Sequence, residues 1–202
     1  MIKNLFLTVA LLAAWVPAAR AGVFNIPQFV EYKDWAMGVE PEFTLATSSP
    51  NSGTGFALNA KYTYGITPLS NLQIGIGPGS GKKGFRFGAT YTFDLIPDLS
   101  GQLGAGVAFQ AYYFSLRNSP AKVDTTVYPY LHKMFTSASG LRVDPFLALP
   151  FGVSLGSPVK PIWQLALGTS VKTSDHLSWI GELGLDLNNS DTYLSFGVSY
   201  RD

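Results

Sequence analysis

The 202-residue chain contains no cysteine. That excludes disulfide frameworks, thiolate metal centres and thiol nucleophiles. Charge is scarce as well, with Asp, Glu, Lys and Arg together at 13%, about half the usual share for a soluble domain. Neither sign dominates: 14 basic residues stand against 13 acidic ones. A nucleic-acid partner, which needs a strong basic surplus, is excluded. Long hydrophobic runs are also missing. After residue 21 no stretch approaches the roughly 18 apolar residues of a membrane-spanning helix. Yet 47% of the chain is hydrophobic, aromatics reach 14% and glycines number 21. This composition excludes disorder and leaves a fairly apolar chain whose hydrophobicity is spread thinly.

The first 21 residues read as a cleavable signal peptide. Lys3 supplies the positive start, Leu5 to Val16 the apolar stretch, and Ala19-Arg20-Ala21 the small-x-small cleavage pattern. No Cys follows the site, so a lipid anchor is excluded. Removing residues 1–21 takes away Lys3 and Arg20, leaving 12 basic against 13 acidic residues. Residues 22–31 are expected to be a lead-in, or an extra strand, and 32–202 the folded domain.

From Tyr32 onward the dominant period is two, the period of a strand. Trp35, Met37, Val39, Pro41, Phe43 and Leu45 alternate with Ala36, Gly38, Glu40, Glu42 and Thr44. Phe85, Phe87, Ala89, Tyr91 and Phe93 alternate with Arg86, Gly88, Thr90, Thr92 and Asp94. The pattern recurs over Phe56–Tyr64, Leu103–Tyr113, Trp163–Lys172, Trp179–Asn188 and Tyr193–Tyr200. Weaker segments are Leu72–Gly77, Thr125–Phe135 with Pro129, and Val143–Leu155 with Pro145 and Pro150. Proline cannot donate to a ladder, so each of these prolines is expected to mark a bulge or distortion. About ten strands result, most of them of the nine to eleven residues that a tilted membrane-crossing strand needs.

The charges of the clear strands fall on the face of small and polar residues: Glu40, Glu42, Lys61, Arg86, Asp94, Lys172, Glu182 and Asp186. That face, crowded with Gly, Ala, Ser and Thr, reads as too small and wet for a protein core. The bulky face carries aromatics near strand ends: Trp35, Tyr64, Phe85, Phe93, Tyr113, Trp163, Trp179 and Tyr200. This is the arrangement of a lipid-facing exterior with aromatic girdles around a polar lumen. The expected fold is therefore all-β, an antiparallel up-and-down transmembrane β-barrel of about ten strands, with twelve as the alternative. A soluble secreted barrel binding a small ligand is the competing class. The expected address is the outer membrane of a Gram-negative cell, with membrane lipids, lipopolysaccharide and the barrel assembly machinery as partners.

Strand breaks are short and rich in Gly, Pro, Ser, Asn and Asp. An even strand count places both termini on the periplasmic side. The turn YGITPLSNLQIG at Tyr64–Gly75 and the strand WIGELG at Trp179–Gly184 resemble the outer-membrane proteins of the meta-pathway phenol-degradation family. That resemblance implies a channel or transporter for small, often hydrophobic compounds. Leu194, Phe196, Val198 and Tyr200 fit the alternating signal read by the assembly machinery, although Arg201 and Asp202 follow where an aromatic end is usual.

Catalysis finds little support. The histidines are His132, on a strand of ambiguous facing, and His176, in a polar turn. Neither has a nucleophile at the spacing that a hydrolase would need. No metal-ligand spacing occurs, no cofactor is implied, and an enzyme is not expected. PGSGKKG at Pro78–Gly84 lacks both the spacing and the following helix of a phosphate loop. It reads as a hairpin loop whose Lys82 and Lys83 could touch lipopolysaccharide phosphates. Two roles remain for the inner charges. They form a narrow polar path that selects a small solute, or they pair across the lumen and plug it, with Arg86 against Glu40 or Glu42 as the lock.

Overall fold

The computed structural model describes residues 30–45, 54–79, 83–99, 102–116, 120–156 and 158–201. The expected signal peptide, most of the expected lead-in, the centre of the first loop and the Lys82 and Lys83 side chains fall outside them. Every regular element among the described residues is a strand: β1 (Trp35–Thr44), β2 (Gly55–Thr67), β3 (Ser70–Gly77), β4 (Lys83–Ile96), β5 (Gly104–Leu116), β6 (Lys122–His132), β7 (Phe135–Thr136), β8 (Arg142–Ala148), β9 (Phe151–Leu155), β10 (Lys160–Lys172), β11 (Leu177–Asn188) and β12 (Tyr193–Arg201).

These twelve segments make ten staves. β8 and β9 lie end to end, both between β6 and β10. β7 is a two-residue rung in the turn before β8. Each stave runs antiparallel to its neighbours, and β12 pairs back with β1 from Met37↔Tyr200 to Phe43↔Leu194. The sheet is thereby a closed ten-stranded barrel with no free edge, which is how a membrane-spanning sheet satisfies its backbone. Residues 30–34 form a turn at the base and add no strand.

The barrel is staggered. Starting at Ser178, successive partners are Ser199, Gly38, Lys61, Gly75, Gly88, Tyr112, Asp124, Ser154 and Lys160. The direct partner of Ser178 on β10 is Lys172, so one circuit returns 172 − 160 = 12 residues out of step. Twelve rises of ~3.3 Å against ten spacings of ~4.8 Å tilt the strands by about 40°.

Pro129 and Pro145 correct the expectation that each proline marks a bulge or distortion, whereas Pro150 interrupts its stave between β8 and β9. Pro129 lies opposite Val107, and Pro145 opposite Thr169, in ladders whose register does not change. Across Pro150 the register is also kept: Phe151↔Trp163 and Ala148↔Ala166 are three residues apart on both strands. In each case only the donor is lost. The carbonyls of Pro129, Pro145 and Pro150 still accept from the amides of Leu149, Lys133 and Gln164.

Outside, the apolar face forms a continuous belt. Met37, Phe87, Phe109 and Phe196 each expose about half of their surface. A water-soluble barrel would not sustain such a patch, whereas lipid covers it. At the end holding the termini, Trp35, Tyr64, Phe93, Trp179 and Tyr200 ring the wall; Phe85, Tyr113 and Trp163 ring the other end. Trp35 packs between Tyr62 and Tyr200, at 6.4 and 6.2 Å between ring centres. Arg201 pairs with Glu31 at 2.7 Å and with Asp34 at 3.1 Å, fastening the closing seam at its base.

Candidate functional site: the barrel interior

Alternation turns one side chain in two toward the axis, so the interior is written in strand parity. Glu40, Glu42, Arg86, Asp94, Glu182 and Asp186 are buried there, Lys61 is nearly so, and Lys172 sits at the mouth. They do not converge on one point. Arg86 Nη1 lies 2.7 Å from Glu42 Oε2, and the same oxygen accepts from Asn59 Nδ2 at 3.5 Å. Lys61 pairs with Glu40, whose other oxygen accepts from Ser195. Glu182 accepts from the Tyr193 hydroxyl. Asp186 accepts from the Ser190 amide and hydroxyl, both at 2.9 Å. These contacts are local and stacked along the lumen: Arg86 and Lys61 are paired with carboxylates, and Glu182 and Asp186 are held by hydrogen bonds.

Two further clusters escaped the strand reading. Near the loop-bearing mouth Lys122 contacts Asp124 at 2.5 Å, and Asp124 also accepts from Ser154. Near the opposite mouth His132 lies between two carboxylates, 3.3 Å from Asp144 and 3.4 Å from Asp94. Tyr130 donates to Asp94 at 3.3 Å. His132 thus faces inward on β6, and its partners orient it rather than a nucleophile. His176 lies at the rim, 3.0 Å from the Arg201 carbonyl, and its ring stacks on Tyr200.

The interior is also more aromatic than expected. Tyr112, Phe114, Tyr128, Tyr130, Phe146 and Tyr193 are buried inside the barrel. The expectation of an inner face too small and wet for a core is therefore corrected. Its glycines are notches for these rings: a Cβ at Gly75 or Gly88 would strike Tyr112, at Gly106 Tyr130, at Gly168 Phe146, and at Gly184 Tyr193. Gly88, Gly106, Gly168 and Gly184 are each directly paired with the ring they admit, on the adjacent stave, so the rings lie over the neighbouring wall and fill the interior. The signal was present in the sequence, since Tyr112 and Phe114 share parity with Gln110, and Tyr193 with Ser195.

Below this packed waist the lumen widens into a cavity of about 170 Å³ at the end holding the termini. Val30, Ala36 and Met134 supply apolar lining; Arg142, Asp144, Ser170, Lys172, Ser178, Ser199 and Arg201 supply the polar part. Beside it, the β4–β5 turn is tied to the β6–β7 turn through Asp98, whose carboxylate accepts from Lys133 Nζ at 2.6 Å and from the Met134 amide. Burial works against the charged form of Asp98, but these two hydrogen bonds outweigh it and hold the carboxyl below its usual range.

No family model matches the chain, and no curated protein matches it. Solved structures do. The β domain of the Bordetella autotransporter Brka superposes with a TM-score of 0.53 at 10% identity, covering 84% of this chain and 98% of that one. An outer membrane channel from Pseudomonas putida F1 gives 0.49 at 10% identity over 90% of this chain and all of its own. The KdgM porin gives 0.40 at 13% identity over 82% and 98%. The fold is that of outer-membrane β-barrels. At these identities the likeness carries the fold and no solute.

Proposed function

We propose that this barrel is a narrow outer-membrane channel for small polar solutes, held closed at its waist. The observation that carries the reading is the cavity of about 170 Å³ at one mouth, which ends on a waist closed by side chains (ion pairs, hydroxyls and rings) rather than by backbone. Arg86–Glu42, Lys61–Glu40 and Tyr193–Glu182 are side-chain contacts between staves. Such contacts exchange partners without disturbing the ladder, as charged constrictions in channels do. The turn and strand resemblance at Tyr64–Gly75 and Trp179–Gly184 supports transport. The lumen wall, with its buried carboxylates and cations, favours a polar solute over the hydrophobic one that the resemblance implies.

A second reading has its own support. The ring-in-notch contacts of Tyr112, Tyr130 and Phe146 fill the cross-section independently of any ion pair. On that reading the barrel is a non-conducting structural or surface-interaction protein. Planar-bilayer conductance of refolded protein separates the two. A channel shows small unitary steps in the wild type, and longer or larger openings in Glu42→Gln, which weakens the Arg86 contact. Silence from both, with normal barrel migration on gels, would sink the channel reading and leave the filled barrel.

A further inference from the structure

The cavity at the mouth holding the termini is built for a ligand of one sign. Arg142 and Lys172 occupy directly opposed positions on β8 and β10, and Lys172 is in turn opposite Ser178 on β11. All three line the cavity. Two cations directly opposite each other across a ladder repel and are destabilising by themselves. Nearby carboxylates do little to offset this. Asp144, two residues from Arg142 on the same face, is taken by His132 at 3.3 Å. Asp175 reaches Lys172 only at 3.7 Å and from an almost fully exposed position. Among the described residues Arg142 forms no ion pair. Arg201, the third cation of the lining, is neutralised by Glu31 and Asp34.

We infer that this cavity is a binding site for a small organic anion. The anionic head, a carboxylate or a phosphate monoester, sits between the Arg142 guanidinium and the Lys172 ammonium and accepts hydrogen bonds from Ser170 and Ser178. The short carbon part lies on Val30, Ala36 and Met134. Arg142 supplies planar donors and Lys172 a point charge, and both bind carboxylate and phosphate oxygens strongly. At about 170 Å³ the cavity takes a few-carbon compound. The site needs no opening of the waist and is independent of whether the barrel conducts.

The test is titration calorimetry on the full chain refolded in detergent micelles, with butyrate, glycerol 3-phosphate, inorganic phosphate and butylammonium as probes. Butyrate or glycerol 3-phosphate should bind, with the tighter of the two identifying the head group, and butylammonium should not. Inorganic phosphate should bind more weakly than the organic probe, because it leaves the apolar lining uncovered. Arg142→Gln and Lys172→Gln should each weaken binding about tenfold, the loss of one charge-assisted contact, and the double variant should abolish it. Heat-modifiable migration reports folding of the variants. If the double variant does not fold, the contrast between butyrate and butylammonium in the wild type still decides. No binding by any anion, equal binding of the cation, or unchanged affinity in a folded double variant overturns the proposal. Conductance recorded on the same preparations is a separate readout, so a silent barrel that binds butyrate fails as a channel and keeps the site.

Discussion

At the scale of single residues, the interior combines buried pairs with close ring contacts, and the two respond differently to substitution. Glu42→Ala leaves Arg86 buried beside a gap. It should cost about 3–5 kcal/mol, the usual penalty for removing one partner of a buried pair. The double variant with Arg86→Met should recover most of that loss, measured as urea midpoints of folding into lipid vesicles. Gly184→Val tests the notches: the added atoms meet the Tyr193 ring, and overpacking of this kind costs about 1–3 kcal/mol. Loss of the Tyr193–Glu182 contact should accompany it. Of these features, the side of the sheet each charge occupies was legible, because parity alone determines it. The partner of each charge was not, because it depends on which stave stands opposite and at what stagger.

At the scale of elements, the strands report their environment through depth. Leu185→Arg, on the outward face of β11, should cost about 2–4 kcal/mol near the bilayer midplane. Ser170→Arg borders the open cavity and should cost much less; equal costs would refute the assigned faces. The turns respond to pH instead. Asp98 has a carboxyl held below its usual value in the folded protein. Its stabilising contribution is therefore present above the unfolded value of roughly 4 and is lost as pH falls through the folded one. Protection of the Met134 amide, measured as exchange relative to the intrinsic rate at each pH, should fall as the wild type is acidified through the Asp98 titration, whereas Asp98→Asn should show low protection at every pH. The prolines teach the complementary lesson. Pro129, Pro145 and Pro150 weakened the strand reading of their segments, yet the ladders run through them in register. A residue in a sheet offers its amide and carbonyl to the same neighbour, so a proline keeps half of its bonding.

At the scale of the whole molecule, ten staves with a stagger of twelve enclose little more than their own side chains. A barrel this narrow is open only where small inward residues leave space. Here the lumen opens at the mouth holding the termini, where Ala36, Ser170, Ser178 and Ser199 leave room beside the longer side chains, and not at the waist. Boiled and unboiled samples should therefore differ in gel migration as for other closed barrels, and the chain should need detergent for extraction. Recovery in a detergent-free soluble fraction would contradict the membrane assignment.

Period two, strand length and the placement of charges determined, from the sequence by itself, that this is an all-β barrel with an apolar outside and a polar inside. These are local properties: they depend on a residue and its neighbours two positions away. The tertiary structure alone decided the rest. Closure and stagger bring Arg86 to Glu42, set His132 between Asp94 and Asp144, match Tyr112, Tyr130, Phe146 and Tyr193 to glycines on other staves, and place Arg142 beside Lys172 over a cavity. Each of these relations joins residues far apart in the chain, at distances fixed by the register of staves that no local pattern encodes.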